Sequence, residues 1–237
     1  MEKSKNESKK SFLTEQKLEI FVAIFLGITA LLMAWGTWVG SLHGGNQATN
    51  YTKSNNLAAE GNSEYNAAAQ LYLSDLMAWN SIVNFEFDIE IAKANGNTVQ
   101  AQLIEEKLDK FVQDNCTEQL IEAINWANSQ EEDVTPFDKE GFVDSYFADA
   151  NKLLSESQEY LEKGQKDNSY GDAYGLVTVI YSVVLFLLGI IGIFKSLPNR
   201  KLVFIISIVA LVLATIYMIT IPMPTGFNLF SYFNGAN

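Results

Sequence analysis

The sequence predicts an all-α fold: a three-span helical membrane protein with an antiparallel bundle of three or four helices inserted between the first two spans. Two observations support this prediction. Three segments of about 20 residues are almost wholly apolar, which is the length that a helix needs to cross the hydrocarbon core of a bilayer. The residues between the first and second segments hold most of the charge, and they lack the alternation of apolar and polar residues that is typical of strands.

The apolar segments cover residues 20–40, 174–194 and 202–221, and none of them contains Asp, Glu, Lys, Arg or His. A buried helix of a soluble protein would show a polar stripe at helical spacing, and these segments do not. The first segment is longer than the roughly 7–15 apolar residues of a cleaved signal peptide. We therefore expect it to be an uncleaved anchor rather than a signal peptide.

Basic residues beside the spans predict the orientation. The tail at residues 1–19 and the loop at 195–201 are rich in lysine and arginine, and the loop has no acid. Basic residues favour the cytoplasmic side. We therefore expect the insert at 41–173 and the tail at 222–237 to lie outside. These basic residues are Lys3, Lys5, Lys9, Lys10, Lys17, Lys195, Arg200 and Lys201.

The charge is concentrated in the insert. The chain has a net charge of −12, and residues 41–173 hold 24 Asp and Glu against 8 Lys. A strongly acidic module repels phosphate backbones, so we expect no nucleic-acid partner. Cys116 is the only cysteine in the chain, which excludes an intramolecular disulfide.

The insert shows helical patterns throughout. Residues 46–94 lack proline and predict one long helix, and further helices are predicted at 98–113, at 117–129 and from Phe142 onward, with a loop at 131–141. Apolar residues recur every seven positions along the first helix, and their neighbours widen this face. We expect both sets to point inward: Tyr51, Ala58, Tyr65, Tyr72, Trp79, Leu76, Val83 and Phe87.

The sequence carries no catalytic, cofactor or metal signature, so we expect neither an enzyme nor a cofactor. The acidic residues at 131–133, 138 and 140 lack the ligand spacing of a helix-loop-helix calcium site and are expected to be solvated. His43 is the only histidine of the chain, and no Ser or Cys is placed in the sequence as a catalytic partner for it. We expect it to be a polar anchor at the membrane interface.

Short motifs are spread along nearly the whole chain, at Ala34, Trp35, Gly40, Gly45, Gln47, Ala48, Tyr51, Trp79, Thr135, Pro136, Phe137, Tyr146, Gly171, Asp172, Tyr174, Leu176, Thr178, Val179, Leu185, Phe186, Gly189 and Ile190. With these motifs the chain resembles an uncharacterised family of bacterial membrane proteins that has one N-terminal span, a helical insert and two C-terminal spans. The resemblance implies a bacterial cytoplasmic-membrane protein with this architecture, and it implies no activity.

Three hypotheses for the function follow. The first is a non-enzymatic scaffold or accessory subunit, whose insert binds a protein partner. The second is a subunit of an oligomeric channel with an acidic outer vestibule that concentrates cations. The third is a ligand sensor without its own output domain. Hydroxyl residues available to line a pore are Thr29, Thr37, Thr178, Ser182, Ser207 and Thr215.

Small residues in the spans predict close helix packing. Gly36 with Gly40 and Ala210 with Ala214 are spaced for either self-association or packing within the chain. The pair of Gly189 and Gly192 is expected to pack the second span against the third. The partners predicted for the chain are thus the lipid bilayer and either another protein or a second copy.

Overall fold

In a computed structural model, residues 15–196 and 198–229 are described, and every regular element in these ranges is helical. The all-α class is therefore confirmed. The predicted tail segments at residues 1–14 and 230–237 lie outside the described residues. The elements are α1 (Glu15–Ala94), α2 (Thr98–Asn115), α3 (Glu118–Asn128), a 3-10 turn (Pro136–Asp138), α4 (Phe142–Ile193) and α5 (Arg200–Thr220).

Three of these helices, α1, α4 and α5, are long and apolar enough to cross a membrane. They contain the three segments that the sequence predicts as spans. The chain therefore has the helices of a multi-pass membrane protein.

The chain forms two compact units. The first, here called the spanning unit, comprises the described residues within 1–52 and 161–237, and the second, here called the insert unit, comprises residues 53–160. Two helices, α1 and α4, contribute residues to both units.

Glycines on α1 allow α4 to approach closely within the spanning unit. A Cβ atom added at Gly40 would lie 3.1 Å from the Cβ of Tyr174, and one at Gly36 would lie 3.4 Å from Thr178. This glycine pair therefore packs two helices of the same chain. The expected role of Gly192 in packing the second span against the third is wrong, because its added Cβ would face Val22 of α1 at 3.6 Å.

Ion pairs join the helices at one end of the spanning unit. Glu15 on α1 accepts a hydrogen bond of 2.8 Å from Arg200 at the start of α5. Lys195 lies 3.0 Å from Glu19. Arg200 also donates from Nε to the backbone oxygen of Ile191 at 3.1 Å, so one guanidinium group links α1, α4 and α5.

The insert unit packs around an apolar cluster drawn from all of its helices. The structure confirms the predicted starts of α2 at Thr98 and of α4 at Phe142. The capping residue Thr117 accepts a hydrogen bond from the backbone N–H of Leu120 and so sets the start of α3. The buried members of the cluster are Ala68, Ala78, Leu120, Ala123, Phe142 and Tyr146.

One part of the predicted inward face of α1 is wrong. Tyr65 is 46% exposed, Val83 is 43% exposed and Phe87 is 61% exposed. Near Val83 and Phe87, α1 packs against α2 through Ile89 and Ala92. A single neighbouring helix covers one face of α1, and the face that carries Phe87 stays exposed.

Candidate functional site

A buried polar cluster surrounds His43 in the spanning unit. His43 is 1% exposed, so the expected interfacial anchor is wrong. Its Nδ1 lies 2.9 Å from Oδ1 of Asp167 on α4, and its Nε2 lies 3.1 Å from the backbone oxygen of Pro222. Asn50 donates to the second carboxylate oxygen of Asp167 at 3.0 Å. The rings of Tyr170 and Tyr174 pack against the imidazole.

Both ring nitrogens of His43 have a polar partner. Nε2 faces the backbone oxygen of Pro222, which only accepts, and Nδ1 faces the carboxyl group of Asp167. The imidazole is therefore held between α4 and the segment that follows α5.

A second buried cluster joins three helices of the insert unit through one carboxylate. Asp75 on α1 is fully buried. Its Oδ1 accepts from the backbone N–H of Thr117 at 3.2 Å, and its Oδ2 accepts from the hydroxyl of Tyr146 on α4 at 2.5 Å. The Thr117 hydroxyl also donates to Asp75, so the residue that caps α3 is itself held by α1.

Burial around Asp75 perturbs two neighbouring groups. Burial and the hydrogen bond to Asp75 raise the pKa of Tyr146, so its phenol remains a proton donor. Burial, and secondarily the charge of Asp75, raises the pKa of the Cys116 thiol. Both pKa values are therefore raised mainly by burial, and Asp75 is a secondary cause in each case.

No known protein family, curated protein or solved structure matches this chain.

Neither cluster was predicted from the sequence, although the sequence carries a signal for one of them. Asp75 follows Tyr72 by three residues and precedes Ala78 by three, so helical spacing places it on their face. No acidic residue of the insert was predicted from the sequence to be buried, yet Asp75 and Asp167 both are. His43 and Asp167 are 124 residues apart and carry no local pattern that pairs them.

The candidate pore residues are engaged within their own helices. Thr29 and Ser207 are fully buried within the spanning unit. All six hydroxyls donate to backbone oxygens three or four residues earlier, as is common inside helices. These acceptors belong to Phe25, Met33, Gly175, Thr178, Val203 and Leu211.

The insert unit exposes large apolar side chains on two of its helices. In residues 53–160, all of which are described, they lie on α1 and α2, whereas those of α3 and α4 are at least partly covered. The most regular set lies on α1, directly opposite the buried face, and is called the α1 stripe here. It consists of Leu73, Met77, Phe87 and Ile91, with Asn80 and Asn84 between them.

A pocket adjoins one end of the α1 stripe. It has a volume of about 420 Å³ and lies at the turn between α1 and α2. Aliphatic side chains of Ile91 and Ile104 form part of its wall, and Asp88 places a carboxylate in it. The side-chain amides of Asn97 and Gln100 form a hydrogen bond of 2.8 Å with each other. Asp88 is the charged residue among those that line the pocket.

Proposed function

We propose that the chain is a non-enzymatic scaffold or accessory subunit of the bacterial cytoplasmic membrane, and that its helical insert binds a protein partner. The observation that carries this proposal is the α1 stripe. In the insert unit, α3 and α4 cover their large apolar side chains at least partly, while α1 leaves four of them exposed on one face. Exposed apolar side chains grouped on one face of a helix outside the spans favour a protein-binding site.

The proposed orientation places the insert outside the cytoplasm. Basic residues at both cytoplasmic segments support it, since such residues favour the inner side of the membrane. In a Cys116→Ala background, a cysteine at Ser196 should be protected from an impermeant thiol reagent in intact cells. A cysteine at Thr225 should react, and the reverse pattern would contradict the orientation.

The resemblance to bacterial proteins with one span, a helical insert and two further spans supports the same proposal for the location. It supplies no activity, so the proposed role rests on the surface of the insert unit.

The channel is the weaker alternative. A pore would require hydroxyl side chains free to contact ions and water along one axis. Two of the candidates, Thr29 and Ser207, are buried inside the spanning unit of a single chain. Their hydroxyls satisfy backbone carbonyls, which favours a role in helix packing.

Site-specific photo-crosslinking in native membranes tests the proposed function. A photoreactive phenylalanine analogue is placed in turn at Met77 on the stripe, at Leu103 on the exposed face of α2 and at Asn151 on α4. At least one position should yield a covalent adduct to another protein, identified by mass spectrometry. Absence of adducts at all three positions would contradict a scaffold that acts through its insert.

A further inference from the structure

We infer that the α1 stripe binds a basic amphipathic helix of the partner protein. This inference rests on the proposed function and adds the chemistry of the partner. Its supports are the spacing of the stripe, the charge around it and the pocket at its end.

The spacing of the stripe fits a helix laid alongside α1. Its six positions are separated by four and three residues in alternation, which is the repeat at which two helices keep a continuous seam. Side chains on the opposite face, among them Ile82 and Ile89, are buried in the insert unit. The stripe is therefore held rigidly by the core behind it.

Asn80 and Asn84 interrupt the apolar seam at its centre. A bound helix that covered them with aliphatic groups alone would bury amides without hydrogen-bond partners. The partner therefore needs polar side chains at the facing positions. This requirement fixes its register, because Leu73 and Met77 lie on one side of the amides and Phe87 and Ile91 on the other.

Charge decides between a partner helix and a second copy. Residues 53–160 hold 21 Asp and Glu against 6 Lys, a net charge of −15. Two such units repel each other, whereas a basic helix is attracted and steered. The attraction is local as well, since Asp88 and Glu90 flank the seam beside Phe87 and Ile91.

The pocket at the end of the stripe fits a lysine or arginine side chain of that helix. Such a side chain buries its methylene stem against apolar walls and directs its charge to a carboxylate. Ile91 and Ile104 supply those walls, and Asp88 supplies the carboxylate. Because Ile91 belongs to both the stripe and the pocket, one helix reaches both.

Binding of designed helices to the full chain tests the inference. The protein is placed in nanodiscs of zwitterionic lipid, so that the bilayer itself does not attract a basic peptide. One fluorescent peptide carries leucine on its apolar face, asparagine opposite the two amides and lysine at the flanking positions. A second peptide differs only in carrying glutamate at those flanks, and binding is followed by fluorescence anisotropy.

The basic peptide should bind, and the acidic peptide should bind at least about tenfold more weakly. Phe87→Ser and Asp88→Asn should each lower the affinity for the basic peptide by about tenfold or more, as is typical for residues that contribute strongly to an interface. The matched control is Leu103→Ser, since Leu103 and Phe87 are both 61% exposed but Leu103 lies on α2. It should leave binding unchanged.

Several outcomes would overturn the inference. Equal affinity for the two peptides would contradict the inference that the partner helix is basic. An equal loss of peptide affinity in Leu103→Ser and Phe87→Ser would contradict the inference that the α1 stripe is its binding site. A dimer in analytical ultracentrifugation that Phe87→Ser dissolves would assign the stripe to a second copy. Crosslinks at Leu103 or Asn151 with none at Met77 would retain the scaffold and reject the stripe.

Discussion

His43 and Asp167 form a buried pair in which the imidazole touches acceptors on both sides. The carboxylate on α4 lies 2.9 Å from Nδ1, and the carbonyl oxygen of Pro222 lies 3.1 Å from Nε2. The side chain of one α1 residue therefore contacts both α4 and the segment that follows α5.

Removal of His43 leaves the buried carboxyl group of Asp167 without one of its hydrogen-bond partners. We expect His43→Leu to destabilise the protein by about 1–3 kcal/mol, as is typical when a buried polar group loses a partner. The double variant His43→Leu with Asp167→Leu should recover much of this loss. Unfolding in detergent micelles provides the measurement, and an equal loss in both variants would contradict the pairing.

Glycine at position 164 is required by a neighbouring ring. A Cβ atom added there would lie 2.5 Å from Cδ1 and Cε1 of Tyr51, which is too close for two carbon atoms. We expect Gly164→Ala to cost about 1–3 kcal/mol through overpacking, and Tyr51→Ala to rescue part of that cost.

Gly44 on α1 provides the control for this substitution. It is also helical, but an added Cβ would meet nothing within 4 Å. Gly44→Ala should therefore stabilise the protein by about 0.5–1 kcal/mol. Thermal unfolding of both variants measures the difference, and loss of stability in Gly44→Ala would contradict the packing.

The phenol of Tyr146 is expected to contribute to stability through Asp75. Tyr146→Phe removes one of the donors to a fully buried carboxylate and should cost about 1–3 kcal/mol. In an Asp75→Ala background the same substitution should cost much less, because its acceptor is already absent. A double-mutant cycle by chemical denaturation measures the coupling, and additive effects would contradict the bond.

Cys116 offers a pH-dependent probe of the same cluster. Burial, followed by the charge of Asp75, raises the pKa of the thiol, so less thiolate is present at a given pH. Asp75→Asn should speed alkylation by iodoacetamide at mildly alkaline pH, since one of the two causes is removed. Burial remains, so the rate should stay below that of free cysteine.

The charge-matched control for this probe is Asp109→Asn on the exposed surface of α2. It should leave the alkylation rate unchanged. Equal rates in Asp75→Asn and the wild-type chain would contradict the influence of Asp75 on the thiol. Circular dichroism checks that each variant keeps its helices.

The helices were predictable because their signals are local. Apolar length marks the spans, and Gly96 and Pro136 mark the breaks around α2 and α3. The face that each residue occupies was less predictable. Phe87 resembles a core residue in sequence, and its exposure depends on how many helices reach that part of α1.

The buried pairs were not predictable, because each depends on contacts between distant residues. Asp167 lies among polar neighbours that give it no mark of burial. Only the approach of α1 to α4, allowed by Gly40, brings it to His43. Such contacts are set by the packing of whole helices, which a single sequence does not display.

The spanning unit is discontinuous in sequence, and this has a consequence in time. Its first part ends at Thr52 and its second begins at Leu161. At a synthesis rate of about 5–20 residues per second, the intervening stretch of about 110 residues takes on the order of ten seconds to make. During that interval the first part of α1 has been made, but the helices that cover Thr29 and His43 have not. Both side chains are therefore uncovered until α4 and α5 are complete.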